Sequence, residues 1–290
     1  MVKTVKADAC VDMFGGILDQ ADHTYVLTGD LVGTACFIYA NNITIDGSGI
    51  YKIQAVVASR RIDGAGGANG SDGLDFTIRN VIDNPLWNEQ IESLGGNSYS
   101  GIAGSGGNVT IENSTLSKKI YSRGGLSSYG TPGNGATVTI RNSTIDSVAV
   151  LGGGTYGYAN GGNGGNIIVE NSNIQGVLAA SGGYSYNNGD GGNGGNITIE
   201  NSVVLSSAYS NGGYGSYFYG NGGNITIINS EVDTVSTTGF IVGSLTITDD
   251  APTVTITGDE NMTIAFEDVY AESGATAEDV KYTTTDLTGD

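Results

Sequence analysis

The sequence predicts an all-β fold: a single-stranded parallel β-helix (β-solenoid) of about eight coils, each of roughly 29 residues. Three observations lead there. Near-identical octapeptides start at Val109, Val138, Ile167, Ile197 and Ile225, spaced by 29, 29, 30 and 28 residues, with weaker copies at Ile43 and Phe76 and a last one at Leu245. Such a period marks a stacked repeat whose units cannot bury a core alone. Each copy alternates apolar and polar residues, as in Val109, Thr110, Ile111, the pattern of a strand that buries one face. The chain between copies is rich in glycine and asparagine, which leaves no room for helical repeat units.

Each element follows from its residues. The octapeptide strands stack at ~4.8 Å, with Val109/Ile111, Val138/Ile140, Ile167/Val169, Ile197/Ile199 and Ile225/Ile227 forming an inward column. After each strand an asparagine recurs in the same register, at Asn113, Asn142, Asn171, Asn201 and Asn229. The chain must corner there, and asparagine tolerates the left-handed conformation that a corner needs. Stacked asparagines are also expected to hydrogen-bond along the column and satisfy buried turn groups. A second apolar run follows, at Ile145 to Val150, Ile174 to Ala179 and Val203 to Ala208. A glycine turn, a tyrosine-bearing loop and Gly-Gly-Asn then lead to the next strand.

Composition excludes several functions. The chain has 11 Lys+Arg against 30 Asp+Glu, a formal charge of −19, so phosphate backbones and anionic membrane faces are repelled. No stretch approaches the roughly 20 apolar residues of a spanning helix. Met1 to Lys6 lack the apolar run of a signal peptide, so any export leader is expected outside this chain. Cys10 and Cys36 are the two cysteines; they read as one disulfide closing an N-terminal cap in an oxidising compartment, or as two buried thiols. His23 is the single histidine, so no zinc site is expected.

The segment YVLTGDL from Tyr25, with ACFIYANNITIDGSG from Ala35, and the recurring Asn file resemble the right-handed parallel β-helix superfamily of pectate lyases and polygalacturonases. The resemblance spans roughly residues 20 to 250 and implies the handedness of the coil. It does not carry over a catalytic set, because the clustered aspartates, histidine-glycine and arginine-lysine pairs of those enzymes have no counterparts here. Beyond it, nine acids against one lysine mark residues 251–290. There Pro252, Gly258, Tyr270, Gly274, Ala275, Thr276, Ala277 and Asp279 resemble the start of a bacterial immunoglobulin-like surface repeat; a capping hairpin is the alternative. The expected organisation is a cap over 1–40, the β-helix over 41–250 and the tail over 251–290, with further domains of a longer chain expected beyond it.

Several residue sets are candidates for function. Ten tyrosines are assigned to the inter-coil loops, including Tyr121, Tyr129 and Tyr209. Of these, Tyr156, Tyr158, Tyr184, Tyr186, Tyr214, Tyr217 and Tyr219 are the glycan-binding candidates, since aromatic faces beside amides suit sugar rings; mutual packing over glycine turns is the alternative. Glu170 and Glu200 would sit one rung apart, near the ~5–5.5 Å of a retaining glycosidase pair. GGNGGN at Gly161 and Gly191 is similar to calcium-binding toxin repeats but lacks their aspartate, so calcium is a possibility and tight turning the plainer meaning. No other metal or cofactor is implied. An outward threonine column at Thr110, Thr139, Thr198, Thr226 and Thr246 invites an ice-binding reading, which Ile168 interrupts; threonine also simply favours strands. Asn42, Asn69, Asn108, Asn113, Asn142, Asn196, Asn224 and Asn261 open N-x-S/T sequons, most of them generated by the repeat.

The expected function is non-catalytic: an extracellular or cell-surface adhesin or stalk whose loops meet a glycan or a cell-surface protein. The alternatives are a polysaccharide lyase or glycoside hydrolase of the same fold, and a filament or phage-fibre subunit.

Overall fold

The computed structural model describes residues 2–5, 18–82, 90–239 and 244–248, and the backbones of three strands within 253–286. It is an all-β parallel β-solenoid of the right-handed type with about 7 turns, without a helix among the described residues.

The first face is a parallel sheet that stacks the octapeptide strands, such as Val109–Glu112, Val138–Arg141, Ile167–Glu170 and Ile197–Glu200, in exact residue-for-residue register. Val109, Ile111, Val138, Ile140, Ile167, Val169, Ile197, Ile199 and Ile225 are fully buried. Burying each aliphatic side chain contributes roughly 1.5–3 kcal/mol. The sheet begins earlier than the expected cap boundary: Val2–Val5 pairs with Thr24–Leu27, which pairs with Ile43–Asp46.

The second face stacks Thr115–Arg123 on Thr144–Leu151. In the next coil the expected continuous run from Ile174 is split into Asn173–Ile174 and Leu178–Ser181. Gly176 lies in the break, donating its N–H to the Asp146 carbonyl at 2.7 Å. Thr115–Arg123 carries one extra residue against Thr144–Leu151, between Leu116 and Lys119, and Lys118 there is buried, at 1% exposure.

Between these faces the corner asparagines have φ of +48° at Asn113 and Asn142, +49° at Asn171 and +47° at Asn201 and Asn229. That is the left-handed region, in which asparagine is one of the few tolerated L residues. Their side chains lie outside the corner. The buried ladder is made instead by the serine that follows each of them. Ser114 N–H donates to Ser143 Oγ, Ser143 to Ser172, Ser172 to Ser202 and Ser202 to Ser230, at 2.9–3.0 Å. Each hydroxyl in turn donates to the carbonyl two residues back, as Ser143 does to Arg141 at 2.6 Å. A hydroxyl supplies both donor and acceptor on one short stem, which suits the tight interior of the turn.

The third face has no long strands. Ser98, Ser127, Thr155 and Ser185 stack through single parallel bridges. Around them the outgoing and returning limbs of each loop close on one another through glycine. Gly220 N–H donates to Gly213, Gly213 to Gly192, Gly192 to Gly183, Gly183 to Gly162, Gly162 to Gly153, Gly153 to Gly133 and Gly133 to Gly125, at 2.7–3.0 Å. The bonds alternate between partners in one coil and partners in the coil below. A Cβ on Gly183 would run into the Gly153 carbonyl, so only glycine permits this approach. Along the returning limb burial repeats every three residues, with Asn163 and Asn166 exposed and Gly162 and Gly165 buried. Three per turn is the repeat of a polyproline-II-like chain.

The exposed asparagines of this limb form a second kind of ladder. Asn163 N–H donates to Asn134 Oδ1, Asn193 to Asn163 and Asn221 to Asn193, at 2.8–2.9 Å. In earlier coils aspartate fills the accepting position: Asp72 Oδ1 receives Ser105 N–H and Asp75 Oδ1 receives Asn108 N–H, at 2.7 and 2.6 Å. Toward the C-terminus the pairing changes: Thr253–Ile256, Ala275–Asp279 and Thr283–Asp286 form a separate antiparallel sheet.

Candidate functional site

The tyrosine surface is built by the loop that leaves the third face. Thr155 Oγ1 accepts Gly157 N–H at 2.9 Å and Ser127 Oγ accepts Gly130 N–H at 2.8 Å. These small side-chain-to-backbone turns reverse the chain and leave the flanking tyrosines on its outer side. Gly154 leaves room for the Tyr184 ring, which would meet any Cβ there.

Five candidate rings come together across three coils. Tyr156 stacks on Tyr186 with centroids 5.3 Å apart and planes 20° apart, and it meets Tyr184 edge-on at 5.7 Å. Tyr184 and Tyr186 are 4.7 Å apart, Tyr186 and Tyr214 5.8 Å, and Tyr214 and Tyr219 5.5 Å. Offset and edge-to-face contacts at these separations are the favoured aromatic geometries. Burial pushes the Tyr184 phenol up to about 12, assisted by its hydrogen bond with Tyr156 and by the neighbouring phenols. Tyr156, Tyr186, Tyr214 and Tyr219 nonetheless stay about half exposed. The Asn187 amide donates to the Tyr156 carbonyl and ties adjacent loops together. Tyr158 and Tyr217 stand apart from the ring contacts, at 73% and 63% exposure.

Two tyrosines assigned to loops are elsewhere: Tyr121 lies in Thr115–Arg123 and Tyr209 in Val203–Asn211, both strands of the second face. The run from Val203 continues past its expected end at Ala208, to Asn211, and the strand of Tyr121 extends to Arg123, so residues that read as loop belong to strand. The structure also adds Tyr99, in edge-on contact with Tyr129 at 5.2 Å, and exposed Phe218 to the aromatic surface. Their sequence signal was their offset from the preceding Gly-Gly pair.

The carboxylate candidates lie in one outward file in which Asp46, Arg79, Glu112, Arg141, Glu170 and Glu200 occupy successive rungs. Arg141 Nε is 2.7 Å from Glu170 and an Arg141 terminal nitrogen is 3.9 Å from Glu112. The hydrogen bond to Glu170 raises the Arg141 pKa. At the start of the file burial raises the Asp46 carboxyl, but hydrogen bonds from Asn80, Ser48 and Arg79, with the Arg79 charge, outweigh it and hold the group below its usual value. The file is therefore largely a compensated ion ladder on an open sheet. Glu170 is held by a guanidinium, which leaves Glu200 alone beside it.

The calcium reading meets the ladder described above, because Asn163 and Asn166 Oδ1 each accept a backbone N–H from the next coil. Among the described residues no cluster of three or more His, Cys, Asp or Glu side chains could hold a metal ion. The outward threonines align as expected, with Ile168 between Thr139 and Thr198. Cys36 is buried and disulfide-bonded, whereas Cys10 lies outside the described residues. No family model, curated protein or solved structure matches the chain.

Proposed function

We propose that this chain is a non-catalytic extracellular or cell-surface rod, an adhesin or stalk, that presents its tyrosine loops to a glycan or cell-surface protein. The observation that carries the reading is the five-ring cluster from Tyr156 to Tyr219. Rings that brace one another and remain half exposed form a stiff, amphipathic surface of the kind that binds with little loss of side-chain freedom. The Arg141–Glu170 ion pair supports a non-catalytic role, since it removes one member of the sole carboxylate pair proposed for hydrolysis. Membership of the pectate-lyase-like superfold and an immunoglobulin-like continuation after residue 250 belong to the same proposal. The left-handed asparagine corners support the first and the antiparallel C-terminal strands the second.

Glycan-array binding by the purified chain, lost in a Tyr184→Ala/Tyr186→Ala double variant of unchanged circular dichroism, is the expected result. Retained binding would refute the tyrosine surface. New reducing ends or unsaturated products from acidic or neutral polysaccharides would favour the enzyme reading, and ligand-free sedimentation as polymers would favour the filament.

A further inference from the structure

The tyrosine loops leave unexplained a groove of about 700 Å³ along the corner between the first and second faces. Its size is within the range of small-ligand sites. One wall is the file of corner asparagines from Asn113 to Asn201. The other is the file of residues that open the second-face strands, Thr115, Thr144 and Asn173. The buried serine ladder forms the floor.

Three features of the lining define its ligand. First, it carries no charged side chain, although the chain has 30 acids and 11 bases. A polyanion would find no counter-charge there. Second, the serine hydroxyls of the floor are hydrogen-bonded within the ladder, but the amides of the walls are only partly engaged. Asn142 Nδ2 donates to Asn113 Oδ1 at 3.2 Å, but the amides of Asn171 and Asn201 make no side-chain bond among the described residues. Asn173 Oδ1 is buried without a hydrogen-bond partner among the described residues. A buried acceptor left in this state calls for a donor. Third, an asparagine amide returns at every rung of the first wall, ~4.8 Å apart. A bound peptide, advancing ~3.3 Å per residue, does not place one residue on each rung. An extended hexose chain advances by close to one rung per sugar and offers hydroxyls at each step.

We infer that this groove binds an uncharged, unbranched, extended oligosaccharide laid along the rod axis, with roughly one sugar per coil. The inference concerns a different surface from the tyrosine loops and stands or falls independently of them.

Calorimetric titration of the full chain with cellotetraose tests it, with maltotetraose (curved) and tetragalacturonic acid (charged) as comparisons. Cellotetraose should bind, and both comparisons should bind at least about tenfold more weakly, a difference of 1.4 kcal/mol. Thr115→Glu, at an exposed site, and Asn173→Leu, which removes the orphan acceptor, should each weaken cellotetraose by about tenfold or more while circular dichroism is unchanged. If Asn173→Leu does not fold, Thr115→Glu and Thr144→Glu carry the test. Tyr184→Ala/Tyr186→Ala should leave this binding as it was. The inference is overturned if cellotetraose does not bind, if tetragalacturonic acid binds equally well, if the groove variants bind normally, or if the tyrosine variant alone abolishes binding.

Discussion

The first face and the third face of the solenoid solve one problem in opposite ways. Both stack in parallel once per turn of about 29 residues, and both must satisfy every buried peptide group. The first face does so with regular strands whose isoleucines and valines fill the interior, so cohesion comes mainly from apolar burial. The third face has few interior side chains. Its two limbs approach until Gly153, Gly162, Gly183 and Gly192 bond directly to one another, and cohesion comes from backbone hydrogen bonds and close contact. An aliphatic core adapts when one side chain changes, because its neighbours relax into part of the space. A backbone-to-backbone contact has nothing that can give way.

That contrast sets the size of the expected effects. Gly183→Ala should be the most damaging, by about 4 kcal/mol or more or by loss of folding, because the new methyl meets the Gly153 carbonyl. Gly49→Ala, with open space around it but φ of +72°, should cost only about 1–2 kcal/mol. Equal urea midpoints for the two variants would break the comparison. Next comes Ile140→Ala in the first face, at about 2–5 kcal/mol. If denaturant titration finds it worse than Gly183→Ala, the aliphatic column is the more brittle of the two structures.

Between the faces, the corner separates two roles that the sequence places side by side. Ser172→Ala removes one rung of the buried ladder and should cost about 1–3 kcal/mol. Asn171→Gly keeps the left-handed turn open and should change the melting midpoint little, within about 0.5 kcal/mol. A reversed order would return the ladder to the asparagine. The smallest effect expected is at high pH. Because the Tyr184 phenol titrates near 12 in the folded chain, against about 10 when unfolded, the folded state holds the proton more tightly. Its contribution is complete below pH 10 and declines as pH rises from about 10 to 12. Phenolate absorbance should show one late-titrating tyrosine that disappears in Tyr184→Phe, and a titration unchanged by that substitution would contradict the assignment.

Legibility in the sequence followed the side chains. The strand period, the inward column and the left-handed corner could be read because alternating aliphatics and a recurring Asn-Ser pair are side-chain signals. The glycine limbs read merely as turns. Their bonding joins residues such as Gly162 and Gly153, nine positions apart, and Gly153 and Gly133, twenty apart, and involves no side chain that a pattern could display. The three-residue spacing of Asn163 and Asn166 was the available clue. The aromatic cluster was half legible. Their place in loops that recur once per coil grouped Tyr156, Tyr184, Tyr186, Tyr214 and Tyr219, but strand length, which depends on pairing with neighbouring coils, took Tyr121 and Tyr209 away from them. The rung-to-rung neighbourhood of Glu170 and Glu200 could be read from the repeat, but which carboxylate Arg141 holds depends on three-dimensional distance.

The outer asparagine ladder has a consequence for how the molecule ages. Asn-Gly steps ordinarily lose ammonia when the glycine nitrogen attacks the side-chain amide carbon. Here Asn163 Oδ1 is held by Asn193 N–H, and the Gly164 nitrogen donates to the Asn193 carbonyl at 2.7 Å, so the two groups that must react are each fixed to another coil. A conversion that did occur would give aspartate together with isoaspartate, and only the aspartate would match the rungs that Asp72 and Asp75 already form in the first coils. The Asn163–Gly164 step is thus guarded against spontaneous deamidation by the coil stacked on it.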